Sequence, residues 1–116
     1  METKQAVTAL SALAQETRLS IFKLLVEAGP TGLAAGEIAA TVGVAPTNLS
    51  FHLKELAHAG LVRSKQDGRY VFYSANYTHM NQLIGYLTEH CCERDGGNCA
   101  PCTPAKTRST AKGESQ

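Results

Sequence analysis

Apolar positions between Ala45 and Val62 fall on a helical period. Leu49, Leu53 and Leu56 recur at i, i+4 and i+7, so one side of a helix is apolar. The opposite side carries Thr47, Phe51, Lys54 and His58, flanked by Asn48 and Ser50. Pro46 suits a first helical turn, and Gly60 suits the left-handed residue that ends a helix. Just upstream, Gly36 to Val42 is a shorter run with Ile38, Ala39 and Val42 apolar, connected through Gly43, Val44 and Ala45. Helix, short glycine-containing turn and second helix with a polar outer face predict a helix-turn-helix. Such a second helix is slim enough to lie in a DNA major groove.

The flanking pattern extends this unit on both sides. Leu61 to Gln66 and Arg69 to Ser74 are β-prone runs joined by Asp67-Gly68, a hairpin signal, so a wing follows the second helix. Upstream, Ala6, Leu10 and Leu13 share a helical face, and Gln15-Glu16-Thr17 reads as a junction. Leu19, Phe22, Leu25 and Val26, widened by Ile21 and Leu24, predict a core helix stopped at Gly29-Pro30. Asn76 can cap a last helix striped with Met80, Leu83, Ile84 and Leu87. That stripe has only the first helix left to cover, so both terminal helices are candidates for a two-fold dimer interface. The expectation is a mainly α (α+β) fold: a homodimeric winged helix-turn-helix of five helices and a two-stranded β-hairpin wing. Residues 1–92 would form the DNA-binding and dimerisation domain. Residues 93–116 would form a flexible cysteine-containing tail, disordered from Thr103 onward.

Composition adds limits. A chain of 116 residues is long enough for one modest core. It has no apolar run of membrane-spanning length and no secretory pattern at its start. A cytoplasmic, membrane-free protein with reduced thiols is the expectation. The net charge of +1 is not a strongly basic signature and counts mildly against DNA binding. Residues 44–75, however, carry Lys54, Arg63, Lys65 and Arg69 against only Glu55 and Asp67, which permits phosphate contact. No Ser/His/Asp grouping, phosphate-binding glycine loop or carboxylate pair points to an enzyme, and no motif calls for an organic cofactor.

Three stretches carry a resemblance. Leu13-Ala14-Gln15-Glu16-Thr17-Arg18-Leu19 followed by Ile21 to Leu25, Ser50 to Leu56 ending in Ala59-Gly60-Leu61-Val62, and Asp67 to Tyr73 resemble the ArsR/SmtB family of metal-sensing repressors. The match covers roughly residues 6–92. The resemblance implies a homodimer that binds a pseudo-palindromic operator when ligand-free and leaves it when a metal or metalloid binds. It also implies operator contacts from Thr47, Asn48, Ser50, His52 and Lys54, with Arg69 on the wing. Helical phase offers His52 a second role, since it lies near the buried side and suits a partly packed structural histidine.

All four cysteines lie near the end: Cys91, Cys92, Cys99 and Cys102. The Cys-x-Cys pair that some arsenic-sensing relatives carry on the first helix of the DNA-binding motif is absent from Thr31–Val42. Thiolates select soft centres, and trivalent arsenic binds three thiols without a fourth ligand. The preferred reading is As(III), with Sb(III) as a further inducer, at Cys91, Cys92 and Cys99, Gly96-Gly97 allowing the chain to fold back. A terminal Cys-Cys pair with a third cysteine soon after also resembles one arsenite-responsive branch of the family. The fourth cysteine, Cys102, is an alternative third ligand or completes a four-sulfur zinc or cadmium site. A rival set for zinc or nickel is His79, His90 and Glu93, eleven and three residues apart, resembling zinc-sensing relatives but with Tyr77 where they carry a carboxylate. Cys91 also continues the apolar stripe of the last helix and would serve as a small buried hydrophobe. Two more distant readings are a peroxide-responsive thiol switch and a dithiol oxidoreductase built on Cys99-Ala100-Pro101-Cys102.

Overall fold

The computed structural model describes residues 1–95. Its elements run α1 (Thr3–Leu13), α2 (Glu16–Ala28), β1 (Leu33–Ala34), α3 (Ala35–Val42), α4 (Pro46–His58), β2 (Val62–Asp67), β3 (Tyr70–Ala75) and α5 (Tyr77–Thr88), then a short 3-10 turn at Glu93–Asp95. Two compact units result, residues 1–84 and residues from 85 onward, so the division falls within α5. The first is a winged helix-turn-helix. The expected five helices are present, and the expected two-stranded wing belongs to a three-stranded antiparallel sheet of order β1-β3-β2. Strand β1 pairs Leu33 with Tyr73 and Ala34 with Phe72. Two residues are too short a run to show alternation, which is why the pattern of the chain does not reveal it.

The α4 helix shows most directly how the sequence builds the fold. Pro46 occupies its first position, where no N–H is required. Leu49, Leu53 and Leu56 are buried, and Leu49 and Leu56 are among the most deeply enclosed side chains. The far end closes in a Schellman motif. Leu61 N–H donates to the Leu56 carbonyl at 3.0 Å and Gly60 N–H to the Ala57 carbonyl at 3.0 Å, with Gly60 at φ +81°. Leu61 and Leu56, the pair that such a motif brings together, are both fully buried. The connection from α3 is the expected Gly43-Val44-Ala45, with Gly43 left-handed.

Elsewhere the core comprises Ile21, Phe22 and Leu25 of α2, Ile38 and Ala39 of α3, Val62 and Ala75 of the sheet, and Leu83 of α5. The buried face of α1 is Ala6, Ala9 and Ala12, whereas Leu10 is exposed, which corrects the expected Ala6, Leu10 and Leu13 face. Small side chains let α1 approach its neighbours closely, and a reading weighted toward leucines misses them. Leu19 is also exposed, so α2 buries a narrower stripe than its composition suggests.

The hairpin is shifted by one residue from the expected Asp67-Gly68 turn. Asp67 pairs with Tyr70, leaving Gly68-Arg69 as a two-residue loop with Gly68 at φ +65°. Positive φ at the first loop position alone is the type II′ pattern, whose twist suits a hairpin. The shift places Arg69 at the tip of the wing. Asn76 caps α5 as expected: its Oδ1 accepts from His79 N–H at 3.2 Å, and its Nδ2 donates to the Gly60 carbonyl at 3.0 Å. This one side chain ties the start of α5 to the end of α4.

Gly60 and Gly68 both hold positive φ, but a Cβ on Gly60 would meet the His79 ring at 3.1 to 3.3 Å, whereas one on Gly68 meets nothing within 4 Å. Gly68→Ala is expected to cost about 1–2 kcal/mol from backbone conformation alone. Gly60→Ala is expected to cost more, and the excess should vanish in a His79→Ala background. Urea unfolding of the four variants and the wild type measures this; equal costs at the two glycines would contradict it.

Candidate nucleic-acid interface and thiol site

The outward side of α4 carries the candidate contacts in the order its helical phase requires. Thr47, Asn48, Ser50 and Lys54 are all exposed. The Ser50 hydroxyl donates back to the Pro46 carbonyl at 3.2 Å, leaving its oxygen lone pairs outward. Lys54 has no carboxylate partner among the described residues, so its charge is available to a phosphate. Arg69 is exposed at the wing tip, and Arg63 and Lys65 are exposed on β2. These placements suit major-groove entry by α4 with the wing against the backbone.

His52 differs from the other candidates. It is half-buried, and its Nδ1 accepts a hydrogen bond from Arg18 Nε at 3.2 Å. The packed role that helical phase offered is therefore realised, whatever else the ring does. Arg18 itself is placed by the first turn of α2, where its backbone N–H donates to the Gln15 side chain at 2.9 Å. Sequence reading overlooked Arg18 as part of this surface. It lies 34 positions from His52, and no local periodicity joins them.

The thiol region lies in the second unit. The last helix ends at Thr88, so Cys91 and Cys92 lie beyond it and do not close it. The chain instead makes tight turns through Cys91 N–H to the Thr88 carbonyl at 3.0 Å and Glu93 N–H to the His90 carbonyl at 3.1 Å. His90 and Cys92 take φ of +60° and +59°, values that interrupt any helix. Cys91 is exposed, so the buried-hydrophobe reading fails for it. The sulfurs of Cys91 and Cys92 stand 3.7 Å apart. Two thiolates bound at about 2.3 Å to a tetrahedral centre stand about 3.8 Å apart, and a pyramidal trivalent centre draws them closer, so the two sulfurs are near enough to share an atom without the spacing selecting which. Cys91 is engaged in a disulfide, and only its reduced form could ligate. Cys99 and Cys102 lie outside the described residues, as does the stretch 103–116.

The rival histidine set is not gathered on one helix. His90 follows the end of α5, where its Nδ1 lies 2.6 Å from Glu93 Oε2. His79 belongs to the first unit, with its ring against Gly60 and its Nε2 buried without a hydrogen-bond partner. Tyr77 is structural: its hydroxyl donates to the Val26 carbonyl at 2.9 Å, with the Leu25 carbonyl at 3.3 Å. Among the described residues no three His, Cys, Asp or Glu side chains come together to hold an ion. A complete site therefore needs a donor from beyond residue 95 or from a second copy. No described helix is long and apolar enough to cross a membrane.

Comparison with known proteins agrees with the helix-turn-helix fold. A family model described as a helix-turn-helix domain matches residues 13–65. The transcriptional activator HlyU of Vibrio cholerae is 32% identical over 77% of this chain and 80% of its own length. The structure of reduced HlyU is similar with a TM-score of 0.62 at 31% identity, over 78% of this chain and 92% of that one. An ArsR-like transcriptional regulator from Rhodococcus sp. RHA1 matches at TM-score 0.70 and 27% identity, over 80% and 85% of the two chains. A further solved structure, a possible transcriptional regulator for arsenical resistance, matches at TM-score 0.61 and 28% identity, over 76% and 90%.

Glu93 holds the His90 imidazole above the ordinary histidine range, first by the hydrogen bond and then by its charge, with Glu89 adding to the charge effect. Any contribution of the charged pair is full below the ordinary histidine value and fades as pH rises through the raised one. Glu93→Gln should therefore lower the His90 titration midpoint followed by NMR. An unchanged midpoint would show that the pair does not form in solution.

Proposed function

Because the chain belongs to the ArsR/SmtB family of DNA-binding transcriptional regulators, we propose that it is a homodimeric repressor released from its operator by As(III) bound to cysteine thiolates. The observation that carries the ligand is the Cys91–Cys92 pair, whose sulfurs lie 3.7 Å apart, so that once Cys91 is reduced a small closing movement would bring both onto one trivalent arsenic. Cys99 supplies the third sulfur, with Cys102 as its alternative, and Sb(III) is the second inducer by the same chemistry. Similarity to a regulator described in terms of arsenical resistance supports this choice.

Support for the dimer comes from apolar surface. Val7, Leu10, Leu19 and Ile84 are 42–55% exposed. An apolar groove of about 460 Å³ lined by Leu13, Leu19, Phe22, Met80, Leu83 and Ile84 opens beside them. A second copy covering these faces would remove the exposure and supply two recognition helices for a two-fold operator. Operator contacts fall to Thr47, Asn48, Ser50 and Lys54 with Arg69, His52 acting through its bond to Arg18. Thiolate ligation in the residues following α5 would alter the end of a helix that takes part in the dimer contact. The spacing of the two recognition helices, about 34 Å for successive major grooves, is then disturbed.

A second reading has its own observation. Cys91 is already disulfide-bonded, and a relative has been solved in a form named reduced, so oxidation rather than metalloid binding is the competing signal.

The test is operator release by the full-length reduced protein, titrated with arsenite, antimonite, cadmium, zinc and peroxide on its own upstream DNA. Arsenite should weaken wild-type binding roughly 5- to 150-fold, the usual range of allosteric coupling. Cys92→Ser should bind the DNA normally and lose most of that response. A Cys92→Ser protein that still releases normally would overturn the assignment. Release by zinc alone would transfer it to His79, His90 and Glu93, and release by peroxide alone to the thiol switch.

A further inference from the structure

The DNA-facing side of α4 contains one residue that a purely polar interface does not explain. Phe51 is 55% exposed, on the same side as Thr47 and Lys54. A lone exposed apolar side chain is ordinary on a protein surface. This one is held from two directions. Arg18 Cζ lies 5.8 Å from its ring centroid, within cation–π range, and the His52 ring meets it edge-on at 5.9 Å and 64°. Arg18 and His52 are themselves joined by their 3.2 Å hydrogen bond. Two helices thus fix the orientation of a ring that faces water.

The groove that α4 would enter limits what such a ring can meet. Base edges there present nitrogen and oxygen donors and acceptors, and the one apolar feature is the thymine 5-methyl group. A phenyl ring set against an amino group or a carbonyl would strip its water and return no hydrogen bond. Set against a methyl, it loses nothing polar. Lys54 on the same helix and the Arg18 guanidinium beside the ring, neither paired with a carboxylate among the described residues, complement the phosphates that flank such a site. The exposed apolar residues assigned to the second copy belong to α1, α2 and α5, so Phe51 is not required for that contact.

We propose that Phe51 reads a thymine methyl group in each operator half-site, with Arg18 and His52 as positioning residues that lock its ring. The inference rests on the DNA-binding reading and adds to it a base and a chemical group. Uracil isolates that group, since it keeps every pairing and groove hydrogen-bonding atom of thymine and lacks only the methyl.

The experiment begins by selecting a preferred duplex from a random double-stranded pool with the full-length reduced wild type. Its affinity is then compared with that of the same sequence made with deoxyuridine in place of thymidine. Wild type should lose roughly fourfold for each methyl read, the factor that burial of one such carbon is worth at 25 °C. Phe51→Ala should bind the thymine duplex more weakly and cease to distinguish the two. Arg18→Gln should reduce the discrimination while keeping the ring. Because Phe51 is exposed, its replacement should leave the thermal unfolding midpoint nearly unchanged, which separates lost reading from lost folding. Equal wild-type affinity for both duplexes, or full discrimination by Phe51→Ala, would overturn the proposal while leaving DNA binding intact. Failure of the pool to yield any preferred sequence would overturn the sequence-reading premise with it.

Discussion

Burial of Leu49, Leu53 and Leu56 is the constraint from which the rest of the first unit follows. A 13-residue helix standing alone in water is marginal, because nucleation costs more than its hydrogen bonds return. Each leucine fully removed from water contributes about 1.5–3 kcal/mol, and three on one side decide both that α4 forms and which way it faces. With that side committed to the core, Thr47, Asn48, Phe51 and Lys54 have only solvent, or DNA, to meet. The Schellman end adds direction, since the Leu56–Leu61 contact turns the chain into β2 at a defined angle. Asn76 then returns from the sheet to the same corner and starts α5 there. Recognition helix, wing and terminal helix are therefore set by one junction near Gly60.

Much of this was legible because the signals were local. Pro46, Gly60 and Asn76 act on their immediate neighbours, and the leucine period of α4 needs no knowledge of the partner surface. What escaped depended on distance or on size. The inner face of α1 is made of Ala6, Ala9 and Ala12, residues whose burial reflects close approach and not hydrophobic weight. The pairing of β1 with β3 joins segments some forty positions apart. Arg18 reaches Phe51 and His52 across a similar interval, so the aromatic and cationic grouping on the outward side of α4 has no sequence signature. Local signals place the hairpin one residue early because Asp67-Gly68 and Gly68-Arg69 are both workable turns. Strand pairing through Asp67 selects the second.

The candidate ligand site was legible in its elements and not in its geometry. Four cysteines near one end of the chain announce sulfur chemistry. The stripe of the last helix predicts that the helix continues through Cys91, yet the backbone leaves the helix at Thr88 and makes left-handed turns at His90 and Cys92. That change matters for function. A regular helix would send successive side chains about 100° apart and separate Cys91 from Cys92, whereas the turn holds their sulfurs 3.7 Å apart. It also removes His90 from the helix that carries His79 and gives it Glu93 as a partner. The irregular backbone thus leaves His79 and His90 off a common helix and Cys91 and Cys92 side by side.

In the proposed mechanism sulfur atoms at this turn, not imidazole or carboxylate groups, govern the grip of the paired recognition helices. X-ray absorption at the arsenic edge tests it most directly, on the full-length reduced protein loaded with one equivalent of arsenite per chain. Three sulfur neighbours around arsenic and no nitrogen or oxygen in the first shell are predicted. Nitrogen or oxygen neighbours in place of those sulfurs would contradict the account.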